Sequence, residues 1–106
     1  MNAETLKALK GSIRKWKRIE EGKGVDRGPD NCPLCKLFFY QCDCKGCPVF
    51  EKTGLPNCSG TPYDEWADAV YPYPRPKNEP KHPRATTPKL VAIAREEREF
   101  LESLLP

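Results

Sequence analysis

Six cysteines lie between residues 32 and 58, and none lies outside that span. They run Cys32-Pro-Leu-Cys35, then Cys42-Asp-Cys44-Lys-Gly-Cys47-Pro, then Cys58. Two C-x-x-C pairs separated by eight residues have the spacing of a metal site held by two knuckles. Each tight turn offers two sulfurs, half of a zinc tetrahedron. By spacing, Cys32, Cys35, Cys44 and Cys47 are the first choice of ligands, and Cys58, in the turn-like GLPNCSG, could replace Cys44. With six thiols a two-zinc cluster with bridging sulfurs is also open. An Fe–S cluster uses the same ligand type and is a minor alternative, because no run here matches a standard cluster spacing. A closed four-sulfur shell leaves no position for water or substrate, so the default role of the ion is structural. Four thiolates on one Zn2+ leave a net negative charge, which Lys36 and Lys45 stand within the knuckle region to offset.

The rest of the composition explains why such a staple is needed. Of 106 residues, 38% are hydrophobic, 31% are charged and 12 are proline. That is too little apolar material for a generous core and too much for outright disorder. A structural ion would contribute on the order of 10–16 kcal/mol to folding, as much as or more than a small domain's net stability. The first residues, MNAETLK, show no apolar run of the secretory kind, and no segment approaches membrane-spanning length. The expected location is therefore cytoplasmic, with no membrane partner. Reduced thiols there favour metal over a disulfide framework.

Residues 2–21 are predicted to form a basic amphipathic helix. Asn2 can cap it, Gly22 and Gly24 stop it, and Leu6, Leu9, Ile13, Trp16 and Ile19 share one face. Gly11 inside the run is a place where the helix could bend or end. Residues 22–31 read as a loop. Leu37-Phe38-Phe39-Tyr40 suits a strand or a packing plug between the knuckles. Thr61-Pro62 opens a short helix, with Trp66 and Val70 one turn apart, inside a metal core spanning 30–70. Residues 71–88 form a Pro-rich linker. Thr87-Pro88 opens a final helix over 88–105, with Leu90, Ile93, Ala94, Leu101 and Leu104 on one face and the Arg95-Glu-Glu-Arg-Glu run exposed. No internal repeat is present.

Catalysis finds little support. The single His, His82, sits in the Pro-rich stretch, and neither the His-Glu and Cys pattern of zinc deaminases nor H-E-x-x-H occurs. No glycine-rich phosphate loop follows a strand. Charge is uneven: residues 1–27 carry eight Lys/Arg against four acids, 75–89 carry five against one, and 28–70 carry three against six. Nucleic acid, if bound, would meet the flanks through Lys7, Lys10, Arg14, Lys15, Lys17, Arg18, Arg75, Lys77, Lys81 and Arg84. The overall charge of +3 is too modest to argue for it alone.

The elements SIRKW, CPLC, CKGCPVFEKTG, CSGTPYDEW and EFLESLLP together resemble a group of small cysteine-rich proteins of bacteriophages and prophages, over most of the chain. The resemblance implies a protein of viral origin in a host cytoplasm and carries no activity with it. It also implies a ligand role for Cys58, which precedes T-P-Y, and leaves Cys42 as an extra. The expectation is thus a small α-rich metal-stabilised domain. A four-cysteine zinc-knuckle core is flanked by amphipathic helices with a Pro-rich linker, and the two long helices pack together or on the core. Functionally, the expectation is a non-enzymatic binding module with a protein partner, or alternatively a nucleic-acid-binding protein. A thiol redox or hydrolytic zinc enzyme is the third alternative.

Overall fold

The computed structural model describes residues 1–42, 44–71 and 83–106, with side chains described outside 40–42. Helix α1 runs Ala3–Glu20, and a 3-10 turn, Gly28–Asn31, follows. Then come α2 (Pro33–Cys42), α3 (Pro48–Thr53), α4 (Pro62–Val70) and α5 (Pro88–Glu102). No strand occurs among the described residues.

The caps are the expected ones. Asn2 Oδ1 accepts from the Thr5 amide at 2.7 Å, Thr61 Oγ1 from that of Tyr63 at 3.2 Å, and Thr87 Oγ1 from that of Leu90 at 3.2 Å. Each satisfies an amide that the helix itself leaves open. Proline at the first helical position of α4 and α5 reinforces the start.

Two expectations are corrected. The aromatic run 37–40 is not a strand but lies within α2, from which Phe38 and Phe39 line the cavity that the cysteines share. Pro33 at its first position starts a helix there, and four consecutive large side chains can be packed by a helix on a neighbour as readily as by a strand. Helix α1 also runs through Gly11. A Cβ at Gly11 would lie 2.9 Å from Pro33 Cγ, so the glycine lets α2 approach α1 rather than breaking α1. The linker expected over 71–88 falls mostly on 72–82, outside the described residues.

Helix α5 packs on both α1 and α4, while α2 packs on α1. The expected pairing of the long helices is therefore present. Leu9, Trp16 and Ile19 from α1, Trp66 from α4, and Ile93, Ala94 and Leu101 from α5 are all buried. Trp16 meets the Trp66 ring edge-on, with centroids 5.2 Å apart, and the Tyr63 ring at 5.8 Å. On the surface, Glu20 accepts from Arg95 at 2.8 Å and from Arg98 at 2.6 Å, pinning the end of α1 to α5. Such half-exposed pairs contribute about 1 kcal/mol or less.

Among the described residues, one side chain that no motif announced receives five hydrogen bonds. Asp26, in the loop after α1, is fully buried. Its Oδ1 accepts from Lys15 Nζ at 3.0 Å and the Gly28 amide at 2.8 Å. Its Oδ2 accepts from Tyr63 Oη at 3.0 Å, Trp66 Nε1 at 3.0 Å and Tyr71 Oη at 3.3 Å. Its own amide donates to the Pro83 carbonyl at 2.9 Å, which brings the chain ahead of α5 against the loop. Burial alone would raise the carboxyl's pKa, but Lys15 and the other donors outweigh it and hold the pKa below the ordinary value.

The packing sets the expected cost of altering it. Asp26→Ala should lower stability by about 3–5 kcal/mol in urea unfolding, because it strands a buried ammonium and three ring donors. A depressed carboxyl pKa contributes stability above the unfolded value near ~4 and loses it as pH falls below that. Wild type should therefore weaken from pH 5 to 2 more steeply than Asp26→Asn. Gly11→Ala, a change that ordinarily favours a helix by about 1 kcal/mol, should instead lower the melting temperature, because the added methyl collides with the Pro33 ring.

Candidate metal centre

Cys32 follows the 3-10 turn and stands just ahead of Pro33, at the cap position of α2. Its carbonyl accepts from the Lys36 amide at 3.0 Å, and its Sγ lies 3.4 Å from the Cys35 amide. The thiol thus occupies the place of a capping hydroxyl. Ser12 Oγ from α1 lies 3.7 Å from the same sulfur, and that hydroxyl also accepts from the Leu34 amide at 3.4 Å. Cys47-Pro48 repeats the arrangement at α3, where the Cys47 carbonyl accepts from Glu51 at 2.9 Å. The Val49 and Phe50 amides approach its thiol without forming a cap bond. The two Cys-Pro dipeptides are therefore helix starts.

Between them, the Cys44 amide donates to Phe38 O at 2.9 Å and the Cys47 amide to Cys44 O at 3.1 Å, closing a tight turn. Gly46 is required in it: φ is +91°, and a Cβ would lie 3.2 Å from the Phe38 ring. Cys44 itself has φ +71°. In the following turn Asn57 and Cys58 have φ +60° and +61°. Asparagine tolerates this left-handed region, whereas a cysteine there costs about 1–2 kcal/mol. Two thiols are thus held in backbone conformations that side chains ordinarily avoid, which is a pattern of functional sites.

Cys32, Cys35, Cys44, Cys47 and Cys58 all line one cavity of about 230 Å³. Its walls are otherwise mostly apolar, including Phe38, Val49 and Phe50, and α1 and α5 complete it with Ser12, Lys15, Trp16, Glu97 and Leu101. The four thiols chosen from spacing and Cys58, added from its turn and from the resemblance, are therefore brought to one cavity. Among the described residues, no three His, Cys, Asp or Glu side chains stand close enough together to hold an ion. Cys32 and Cys35 are hydrogen-bonded to each other, and Cys44, Cys47 and Cys58 line the same cavity.

The charges of this cavity were not visible from spacing. Lys36 and Lys45 are exposed. The cation beside the sulfurs is Lys15, whose charge favours the thiolates of Cys32 and Cys35 while its ammonium is bonded to Asp26. Lys15 thereby leaves the basic face expected of it. Its ammonium is buried in an ion pair, whereas Lys7, Lys10, Arg14, Lys17, Arg18 and Arg84 are exposed. Its place beside Trp16, three residues after Ser12 and four before Ile19, was the available signal. The side chain of Cys42 and residues Arg75, Lys77, Lys81 and His82 lie outside the described residues.

Glu97 departs furthest from expectation. The charge pattern puts it on the solvated side of α5, yet it is only 2% exposed and its Oε2 has no hydrogen-bond partner. It stands four residues after Ile93 and four before Leu101, inside the apolar stripe, and that spacing was the overlooked clue. Burial pushes its pKa up to about 8; the Tyr63 amide opposes the shift, and the Cys32 charge adds to it. The Cys35 thiol donates to Cys32, which favours the Cys32 thiolate and raises its own pKa. Burial raises Cys58 and Cys47. The cavity therefore holds acidic groups that cannot ionise together against Lys15 alone. A divalent cation would supply the missing positive charge.

No protein-family model, curated protein or solved structure matches this chain.

Glu97 yields a prediction of opposite sign to Asp26. A carboxyl with a raised folded pKa removes stability as pH climbs from its unfolded value toward about 8. In the metal-free protein at pH 7 the penalty is about 3 kcal/mol. Glu97→Gln should therefore raise metal-free stability at pH 7 in urea unfolding and flatten the decline between pH 5 and 8. A loss of stability would mean that the carboxylate makes an interaction the metal-free chain depends on.

Proposed function

We propose that this chain is a non-enzymatic binding module whose cysteine-rich half is closed by a structural Zn2+, and that it acts on a host or phage protein in the host cytoplasm. The observation that carries the zinc reading is the gathering of five thiols, from three turns, around one cavity. The left-handed Cys44 and Cys58, the Cys35 amide on Cys32 sulfur and the unpartnered Glu97 oxygen add support. The amide on sulfur suits a thiolate, and the strained turns and the orphaned carboxyl oxygen suit a site completed by a cation. Four of Cys32, Cys35, Cys44, Cys47 and Cys58 would hold the ion. Bound zinc is redox-inert and would act as a cross-link joining the starts of α2 and α3 to the Asn57–Cys58 turn. An Fe–S cluster is the alternative with the same ligands.

The protein partner rests on the resemblance to phage proteins, an argument from association. A second reading, nucleic acid, has its own support in the surface. Lys7, Lys10, Arg14, Lys17 and Arg18 recur at helical spacing and are exposed, forming one basic stripe along α1. The large exposed apolar residues among those described, Met1, Leu55 and Leu105, lie far apart in sequence.

Cobalt substitution tests the zinc reading. The reduced metal-free protein titrated with Co2+ should develop sulfur-to-cobalt charge-transfer bands and strong visible bands that saturate at one ion per chain, and Zn2+ should displace them. Cys32→Ser and Cys47→Ser should each weaken binding by an order of magnitude or more, as loss of a ligand requires. Absence of charge-transfer absorption would overturn the proposal, and a brown protein as purified would replace zinc by an iron–sulfur centre.

A further inference from the structure

At the C-terminal end of α1, on residues other than those that carry the zinc reading, is a surface hollow of about 460 Å³. Arg18, Lys23, Arg27 and Arg84 line it, together with Lys15 and Asn31. The four cations come from separate stretches of chain: the last turn of α1, the loop after it, and the segment leading to α5. The bond from the Asp26 amide to Pro83 carries Arg84 across to Arg27. All four are exposed, and among the described residues none of them is in an ion pair. Lys15 is already committed to Asp26, and the Asn31 amide to Val25 O at 2.9 Å.

The ordinary account of a basic helix end covers only part of this. A cation in the last turn complements the helix dipole, which explains Arg18. It does not explain Lys23, Arg27 and Arg84, which lie beyond the helix. The carbonyl of Arg18 is already occupied, accepting from the Lys23 amide at 2.9 Å and the Gly24 amide at 3.0 Å. Four like charges facing one concavity repel each other unless an anion is shared between them. Three guanidinium forks, each able to give two parallel hydrogen bonds, match the oxygens of phosphate better than single carboxylates.

We propose that this hollow is a binding site for phosphate groups, with Arg18, Arg27 and Arg84 giving directed hydrogen bonds and Lys23 a point charge. The phosphates could be those of a free polyphosphate or of a nucleic-acid backbone following the basic stripe of α1 into the hollow. The site does not depend on the zinc reading or on a protein partner.

Isothermal titration of the full-length purified protein with sodium tripolyphosphate at low ionic strength tests it. Wild type should bind one tripolyphosphate per chain. Arg27→Ala/Arg84→Ala should weaken binding by about tenfold or more, as expected for two lost charge-assisted contacts. Arg27→Lys/Arg84→Lys should fall between, since charge is kept and the fork lost. Lys7→Ala/Lys10→Ala, at the far end of the α1 stripe, should bind like wild type. Circular dichroism melts should show every variant folded, all four positions being exposed. A second arm uses a mixed-sequence single-stranded oligonucleotide. If nucleic acid is the source, it displaces tripolyphosphate, and the Arg27→Ala/Arg84→Ala variant loses about 1.4 from the salt slope of binding. If a free polyphosphate is the source, the oligonucleotide does not compete. No binding by wild type at millimolar tripolyphosphate, or equal affinity in Arg27→Ala/Arg84→Ala, would overturn the site.

Discussion

One buried carboxylate organises the helical half of this chain. Asp26 receives hydrogen bonds from Lys15 on α1, from the Gly28 amide in its own loop, and from Tyr63, Trp66 and Tyr71 on and just after α4. A carboxylate removed from water is tolerable only when such donors replace its hydration. Once they do, their directions fix the geometry around it. The bonds set the spacing of α1 and α4, so that Trp16 and Trp66 meet edge-on. The adjoining backbone bond to Pro83 then leads the chain into α5. An apolar core this small specifies position loosely, and the Asp26 network supplies directions that hydrophobic contact lacks.

The cysteine half is built on another principle. Helices α2 and α3 are short, their starts are Cys-Pro caps, and the turns that bear Cys44 and Cys58 sit in left-handed backbone. Hydrogen bonds such as Cys47 N–H to Cys44 O and Thr61 Oγ1 to Cys58 O close those turns but leave the left-handed backbone in place. Glu97, buried among the same groups without a partner for Oε2, adds to the cost. An ion bound by thiolates would offset both, which is why the zinc proposal and the local strain belong together. Lys15 joins the halves, since its ammonium bonds Asp26 and its charge acts on Cys32 and Cys35.

Much of the frame was legible in the sequence. The apolar repeats of the first and last helices and the caps Asn2, Thr61 and Thr87 are local signals, and the structure follows them. The four cysteines paired by spacing, and Cys58 with them, do line one cavity. Helix α2 was missed because Leu37 to Tyr40 carry no periodicity that separates a short buried helix from a strand. Asp26 was missed for a deeper reason: its donors lie eleven residues before it and up to forty-five after it, and no spacing rule reaches that far. Lys15 and Glu97 could have been found. Glu97 falls inside the apolar stripe of α5, between Ile93 and Leu101, and Lys15 borders that of α1, one turn from Ser12 and Ile19.

The buried carboxylate holds one half, and in the zinc proposal a thiolate-bound ion holds the other. Segment-resolved hydrogen exchange of the reduced protein, before and after exhaustive chelation, tests this most directly. Chelation should strip protection from residues 33–60 while amides of α1, α4 and α5 stay slow. Unchanged protection throughout would show that no ion orders the cysteine half, and uniform loss across the whole chain would show that the Asp26 network cannot hold the helices by itself.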